Sequence, residues 1–313
     1  MTAPPRRILC IGECMAELAP LDAPGDYRLG FAGDSFNTAW YLRQLRPGLE
    51  VDYLSAIGGD AISDRMARFM ADAGIGTAHV ARVPGRSVGM YMISLSAGER
   101  SFSYWRDTSA ARLLAEDPAA LDRAMSGADL VYFSGITLAI LSEAARDRLL
   151  HALRAARGQG ATIAFDPNLR PRLWRGSAEM CAAIMQGATV SDVVLPSFED
   201  EAAYFGDADP RATADRYAAA GARSVVVKNG PDPVHVLHDG RHQEVVVAPV
   251  PRVVDTTSAG DSFNAGVLVD WGSPLPMAKR IERAAAVTAQ VIGGKGALVP
   301  LDKTPLSNDW TMP

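Results

Sequence analysis

Short runs of β-branched and large apolar residues recur along this chain, each followed by helical spacing, and that alternation limits the fold more than any other feature. Residues 8–11 read as a buried strand and Asp34–Leu45 as a helix entered through Gly33-Asp34. Residues 51–57 form the next strand, and a helix starting at Asp60 runs to Ala73 and is closed by Gly74. The strand at 130–133 leads to Ser142 and a long helix ending near Gly158. Residues 162–165, 193–195 and Ser224–Val227 repeat the strand theme, with helices at about 178–185 and 210–220 between or beside them. Strands separated by helices pack as a mostly parallel sheet with helices on both faces, so the expected class is α/β.

Two regions break the alternation. Residues 18–31 and 87–106 are rich in Tyr, Phe and alternating apolar positions, with Ala97-Gly98-Glu99-Arg100 as a hairpin turn. They are expected to form a small β-strand lid, within 12–32 and 87–107, over the crevice at the carboxyl ends of the strands. A pair of edge strands with no catalytic role would give the same pattern. No internal repeat or low-complexity linker separates them from the rest, and 313 residues at 48% hydrophobic content can share one large core. One domain spanning 1–313 is expected.

A net charge of −5 without a long Lys/Arg run gives no footprint for nucleic acid or an anionic membrane, so the expected partners are small molecules. Cys10, Cys14 and Cys181 follow neither a disulfide framework nor zinc spacing. Residues 1–7 lack the apolar segment of a signal peptide and no apolar run is long enough to span a bilayer, so cytoplasmic residence is the expectation.

The chemistry concentrates in Asp255-Thr256-Thr257-Ser258-Ala259-Gly260-Asp261-Ser262-Phe263-Asn264-Ala265-Gly266, where a helix over about 260–271 is expected to begin. Such an N-terminus exposes unpaired N–H groups and partial positive charge, which suit phosphate oxygens. Ala259 and Gly260 let a phosphate approach the backbone, and Asp261 beside it could act as general base for a hydroxyl. Asp261 could equally cap the helix, and the segment alone leaves both readings open. Neither GxxxxGK[ST] nor GxGxxG follows the first strand, which argues against a P-loop enzyme and a dinucleotide-binding dehydrogenase. ATP, if bound, must place its phosphates at the helix entered at Gly260.

Gly33-Asp34-Ser35-Phe36-Asn37 and Asp255-Thr256-Thr257-Ser258-Ala259-Gly260-Asp261 together resemble the paired signatures of the ribokinase-like (PfkB) carbohydrate kinases. Ile11-Gly12-Glu13-Cys14-Met15, Gly98-Glu99-Arg100, Tyr104-Trp105-Arg106, Ser134-Gly135-Ile136 and Arg170-Pro171-Arg172-Leu173-Trp174 are similar to the ketodeoxygluconate-kinase branch of that family. The resemblance implies a ribokinase-like fold and transfer of the γ-phosphate of ATP, with Mg²⁺, to the terminal hydroxyl of 2-keto-3-deoxy-D-gluconate. Asp261 would be the base, and Ser258, Ala259 and Gly260 the anion hole.

A sugar acid also needs a group for its carboxylate, and the planar fork of arginine binds both oxygens. Arg106 and Arg170 are the candidates, with a structural salt bridge as the alternative for either. The resemblance adds Tyr91 and Tyr104 as substrate contacts and lets Arg170 reach the transferred phosphate. Gly33, Asp34 and Asn37 fit the other side of the sugar, although Asp34 could simply cap its helix. Asn168, Ser197, Lys228 and Gly230 are implied on the nucleotide side with Ala259 and Gly260, a solvated strand-end lysine being the alternative for Lys228.

A monovalent-cation site, K⁺, is implied near Asp255 and Thr257, where a turn-stabilising hydrogen-bond network is the simpler reading. Ala32 and Ser258 replace glycines of the family pattern. The element that helps position magnesium becomes Ser197-Phe198-Glu199-Asp200, leaving Asp200 through water, or Glu201, in that role. Pro231 and Pro233 interrupt the nucleotide turn. A related kinase for fructose, ribose or another keto sugar, and a catalytically silent sugar-binding protein, remain as alternatives. An apolar lid face could pair two subunits into a homo-oligomer.

Overall fold

Ile8, Leu9, Cys10 and Ile11 are all fully buried, because the strand they form is covered on both faces. In the computed structural model, which describes residues 3–21, 23, 25–96 and 99–302, the alternating runs assemble into two sheets. The described strands are β1 (Arg7–Ile11), β2 (Met15–Pro20), β3 (Tyr27–Ala32), β4 (Glu50–Ile57), β5 (Val80–Arg82), β6 (Met90–Ser96) and β7 (Glu99–Trp105). They continue as β8 (Leu130–Ser134), β9 (Thr162–Asp166), β10 (Val193–Val194), β11 (Ser224–Val227), β12 (Val234–His238) and β13 (Arg241–Val245).

The larger sheet runs β13-β12-β11-β10-β9-β8-β1-β4-β5. It is parallel from β11 to β5, with the β12–β13 hairpin added antiparallel at one edge. Ile8 and Cys10 of β1 join a core with Phe36, Phe263 and Val287 from helices Asp34–Leu45, Ala259–Leu268 and Met277–Ile292. Leu9 and Ile11 join the opposite core with Leu149 and Ile184 from helices Glu143–Gly158 and Ser177–Thr189. Strand order reverses at β1, which lies between β4 and β8, and sheets of this kind bind ligands outside the carboxyl ends at such a reversal.

Local signals set the helix boundaries. The Asp60 side chain accepts the Ser63 N–H at 2.9 Å to start Ala61–Asp72, and Gly74, at φ 72°, turns the chain away afterwards. Ser142 accepts from the Ala145 N–H and starts Glu143–Gly158. The expected helix at 260–271 begins one residue earlier and ends at Leu268.

The smaller sheet, β3-β2-β6-β7, lies within the expected 12–32 and 87–107. Its β2–β6 pair is parallel and the other two pairs are antiparallel. The turn at Ala97-Gly98 falls outside the described residues. The chain passes between the sheets near Gly12-Glu13, Ala32-Gly33, Gly89 and Arg106, and these passages pack on one another. A Cβ on Gly33 would overlap the Glu13 carbonyl oxygen, so the chain's own packing already requires glycine there. Among the described residues no helix is long and apolar enough to cross a membrane.

Candidate active site

The helix Ala259–Leu268 starts from Ser258, whose φ of 65° puts it in the left-handed region. The Ala259 N–H donates to the Thr256 carbonyl at 3.1 Å, closing a turn before the helix. That bond occupies the Ala259 amide in this arrangement of the chain. Among the described residues the Gly260 and Asp261 amides meet no backbone acceptor, and these are the donors the helix start presents.

Asp261 does not cap this helix. Its Oδ2 accepts the Asn37 side-chain amide at 2.8 Å and the Ser258 hydroxyl at 2.7 Å. Burial pushes its carboxyl up to about 7, the negative charge of Asp34 adds to the shift, and the two hydrogen bonds oppose it. Asn37 also uses its Oδ1 to accept the Gly33 N–H at 3.2 Å, which fixes the Gly33 turn and the Asp261 carboxylate together. Thr38 donates to the Asp261 carbonyl at 3.2 Å.

Asp34 likewise leaves its helix without a side-chain cap and accepts the Asn168 amide at 2.8 Å. Asn168, at φ 35°, follows the end of β9, and its N–H is held by Asp166 at 3.1 Å. The other oxygen of Asp166 accepts Lys228 Nζ at 3.0 Å and Asn264 Nδ2 at 2.6 Å. Lys228 also donates to Asn264 Oδ1 at 3.2 Å. With 11% of its side chain exposed, it is not the solvated lysine of the alternative reading. Its Nζ would stand 3.5 Å from a Cβ on Gly260, so lysine and amides converge on one space.

Gly33, Asp34, Asn37, Asn168, Lys228, Ser258 and Asp261 are thus gathered into one hydrogen-bonded cluster, with Gly260 beside it. Ser197 joins it as the β-bridge partner of Lys228, and Gly230, at φ 56°, makes the turn beyond. Asp255 and Thr257 form the turn network at the approach: Asp255 Oδ1 accepts from the Thr257 N–H and hydroxyl at 3.0 and 2.7 Å, and Oδ2 from the Gly296 N–H at 2.6 Å.

The remaining candidates belong to other surroundings. Tyr91 and Tyr104 pair across β6 and β7 with ring centroids 5.9 Å apart, and the Tyr91 hydroxyl donates to Glu17. Arg106 is buried and paired with Glu13. Arg170 is half exposed, donating to its neighbour's carbonyl at 2.7 Å and lying 3.8 Å from Asp200. Glu201 is ruled out as a magnesium-positioning group, because its buried carboxylate is held by Arg216 at 2.7 Å and by the Tyr217 hydroxyl.

The sequence reading misses Asp166 and Asn264 as functional residues. A carboxylate at the carboxyl end of a buried strand is the signal that points to Asp166. Asn264, a fully buried amide inside a helix, signals itself only once its burial is known.

Residues 5–304 match the pfkB family of carbohydrate kinases. The 2-dehydro-3-deoxygluconokinase of Dickeya dadantii is 39% identical over 311 residues, covering 96% of this chain and 99% of that one. Fructokinase of Xylella fastidiosa, solved with bound ATP, is 26% identical with a TM-score of 0.82, covering 93% of this chain and 94% of its own. The 2-dehydro-3-deoxygluconokinase of Thermotoga maritima shares the fold, with a TM-score of 0.83 at 23% identity over 97% of this chain and 99% of its own. An α/β sheet with a second small sheet, a helix start with free amides, and a match over nearly the whole length agree: the chain belongs to the pfkB family of carbohydrate kinases.

Proposed function

We propose that this protein phosphorylates 2-keto-3-deoxy-D-gluconate at its terminal hydroxyl, using ATP, as one kinase domain with the smaller sheet as its lid. The observation that carries the chemistry is Asp261, a carboxylate raised to about 7 at a helix start with free amides. A base of that strength takes the hydroxyl proton near neutral pH. The Gly260 and Asp261 amides and Lys228 stabilise charge on the transferring phosphoryl group. Asp34 and Asn37 serve the sugar hydroxyls. Asn168, Ser197 and Gly230 line the nucleotide side.

Mg²⁺ neutralises the phosphate oxygens when bound. Asp200, whose carboxyl burial pushes upward and Arg170 pulls back, is the acidic group this chain offers toward it. Arg106 takes the substrate carboxylate, with Tyr91 and Tyr104 along the same strands, while Arg170 reaches toward the phosphates. The similarity to 2-dehydro-3-deoxygluconokinases supports this substrate. K⁺ beside Asp255 and Thr257 belongs to the proposal, and turnover in K⁺ against tetramethylammonium tests it. The exposed Phe102, Tyr104 and Trp105 of β7 support pairing of two subunits, which sedimentation would read. Dependence on ATP supports the cytoplasm as the compartment.

The deciding experiment measures ADP release from Mg-ATP with 2-keto-3-deoxygluconate, fructose and ribose in parallel, for the wild type, Asp261→Asn and Arg106→Ala. Preference for the acid that disappears in Arg106→Ala supports the substrate, and preference for a neutral sugar overturns it. Release that does not depend on Asp261 overturns the base.

A further inference from the structure

Glu13 and Arg106 form an ion pair whose side chains are only 1% and 8% exposed. Glu13 sits where the chain leaves β1 for the smaller sheet, and Arg106 where it returns after β7. The Arg106 Nη2 donates to Glu13 Oε2, yet Glu13 Oε1 and Arg106 Nε are both buried without a hydrogen-bond partner among the described residues. A pair closed through one contact does not recover the desolvation of two charges, and buried polar atoms are ordinarily satisfied. Stability does not account for it.

The space it occupies is kept open by a glycine. A Cβ on Gly89 would stand 2.6 Å from Glu13 Oε1 and 3.2 Å from Arg106 Cβ. The nearby Glu17 is engaged by Tyr91, so Glu13 is the carboxylate assigned to Arg106.

We propose that Glu13 is a positioning residue that holds Arg106 from the buried side and so makes the site selective for a sugar acid over a neutral sugar. The inference rests on the carboxylate role given to Arg106 above. A guanidinium carries its donors in a rigid fork, so fixing one arm fixes the plane of the rest. Ordering that arginine before substrate arrives lowers the entropy lost on binding. The Glu13 carboxylate and the substrate's then occupy opposite sides of one guanidinium.

The test compares KM and kcat for the sugar acid and for its neutral analogue, reduced to the alcohol at C1, together with KM for ATP. Glu13→Gln keeps size and an acceptor but loses the charge. It should raise KM for the acid by about 10- to 100-fold, as loss of a partner that orients a ligand-binding side chain does, with kcat and KM for ATP within about twofold. KM for the neutral analogue should stay put, and Glu13→Asp should restore part of the acid preference. An unchanged KM for the acid, or acid and neutral KM rising together, overturns the proposal. If Glu13→Gln does not fold, Gly89→Ala, which presses on Glu13 Oε1, must give the same selective loss. Acid preference surviving Arg106→Ala would overturn the carboxylate reading itself; preference lost there but kept in Glu13→Gln would overturn only the role of Glu13.

Discussion

Asn37 donates its side-chain amide to Oδ2 of Asp261 at 2.8 Å, joining two helix starts that lie 224 positions apart in sequence. That hydrogen bond favours the ionised carboxylate and pulls Asp261 down against the upward push of burial and Asp34. Asn37→Ala should therefore move the acid limb of kcat/KM upward from about 7. Near pH 6.5 activity should fall about three- to tenfold further than near pH 9, where only the loss of the proposed sugar contact remains. A limb that stays in place would separate Asn37 from the base.

Removing the base itself has two signatures. Asp261→Asn should lower kcat on the order of 10²–10⁴-fold with little change in ATP binding. Stability should move the other way. The folded carboxyl titrates near 7 and the unfolded one near its ordinary 3.8, so ionisation disfavours the fold increasingly as pH rises between them. The thermal midpoint of Asp261→Asn should exceed that of the wild type by more near pH 8 than near pH 5. An equal difference at both would contradict the raised carboxyl.

Lys228 and Asp166 form a buried pair at 3.0 Å, so truncating the lysine strands a carboxylate. Lys228→Met should destabilise the fold by about 3–5 kcal/mol and raise KM for ATP. Adding Asp166→Asn should recover much of the stability but none of the turnover, which denaturant titration and steady-state kinetics read separately. If the double variant is as active as the wild type, Lys228 has no part in phosphate binding.

Gly260 separates folding from function. Among the described residues a Cβ there meets only Lys228 Nζ, at the ordinary distance of 3.5 Å, and alanine suits a helix better than glycine. Gly260→Ala should leave the thermal midpoint unchanged or raise stability by up to about 1 kcal/mol. The methyl group fills space meant for a phosphate oxygen, so kcat/KM for ATP should fall at least about tenfold. Full activity in this variant would move the phosphate elsewhere.

The two ends of the site are legible in sequence because each is a local pattern, 33–37 and 255–261, that starts a helix. Asp34–Leu45 is recovered to the residue for that reason. Asp166 and Asn264 act through a pairing 98 positions apart, which no local pattern carries. The sequence reading passes over Met277–Ile292, although Ile281, Ala284, Val287 and Val291 repeat at helical spacing, and over β12–β13, although Asp239-Gly240 marks its turn. That the Glu13 carbonyl also demands a glycine at position 33 is not legible, because contacts between distant backbone segments leave no trace in composition.

The passages of chain near Glu13, Gly33, Gly89 and Arg106 pack together where the smaller sheet joins the larger. In the proposed enzyme, Tyr91, Tyr104 and Arg106 hang from the smaller sheet, whereas Asp261, Gly260 and Lys228 belong to the larger. A lineage exploring new carbon sources could rewrite β6 and β7 and inherit its phosphate chemistry untouched, with the junction around Glu13 as the seam that every such graft must respect.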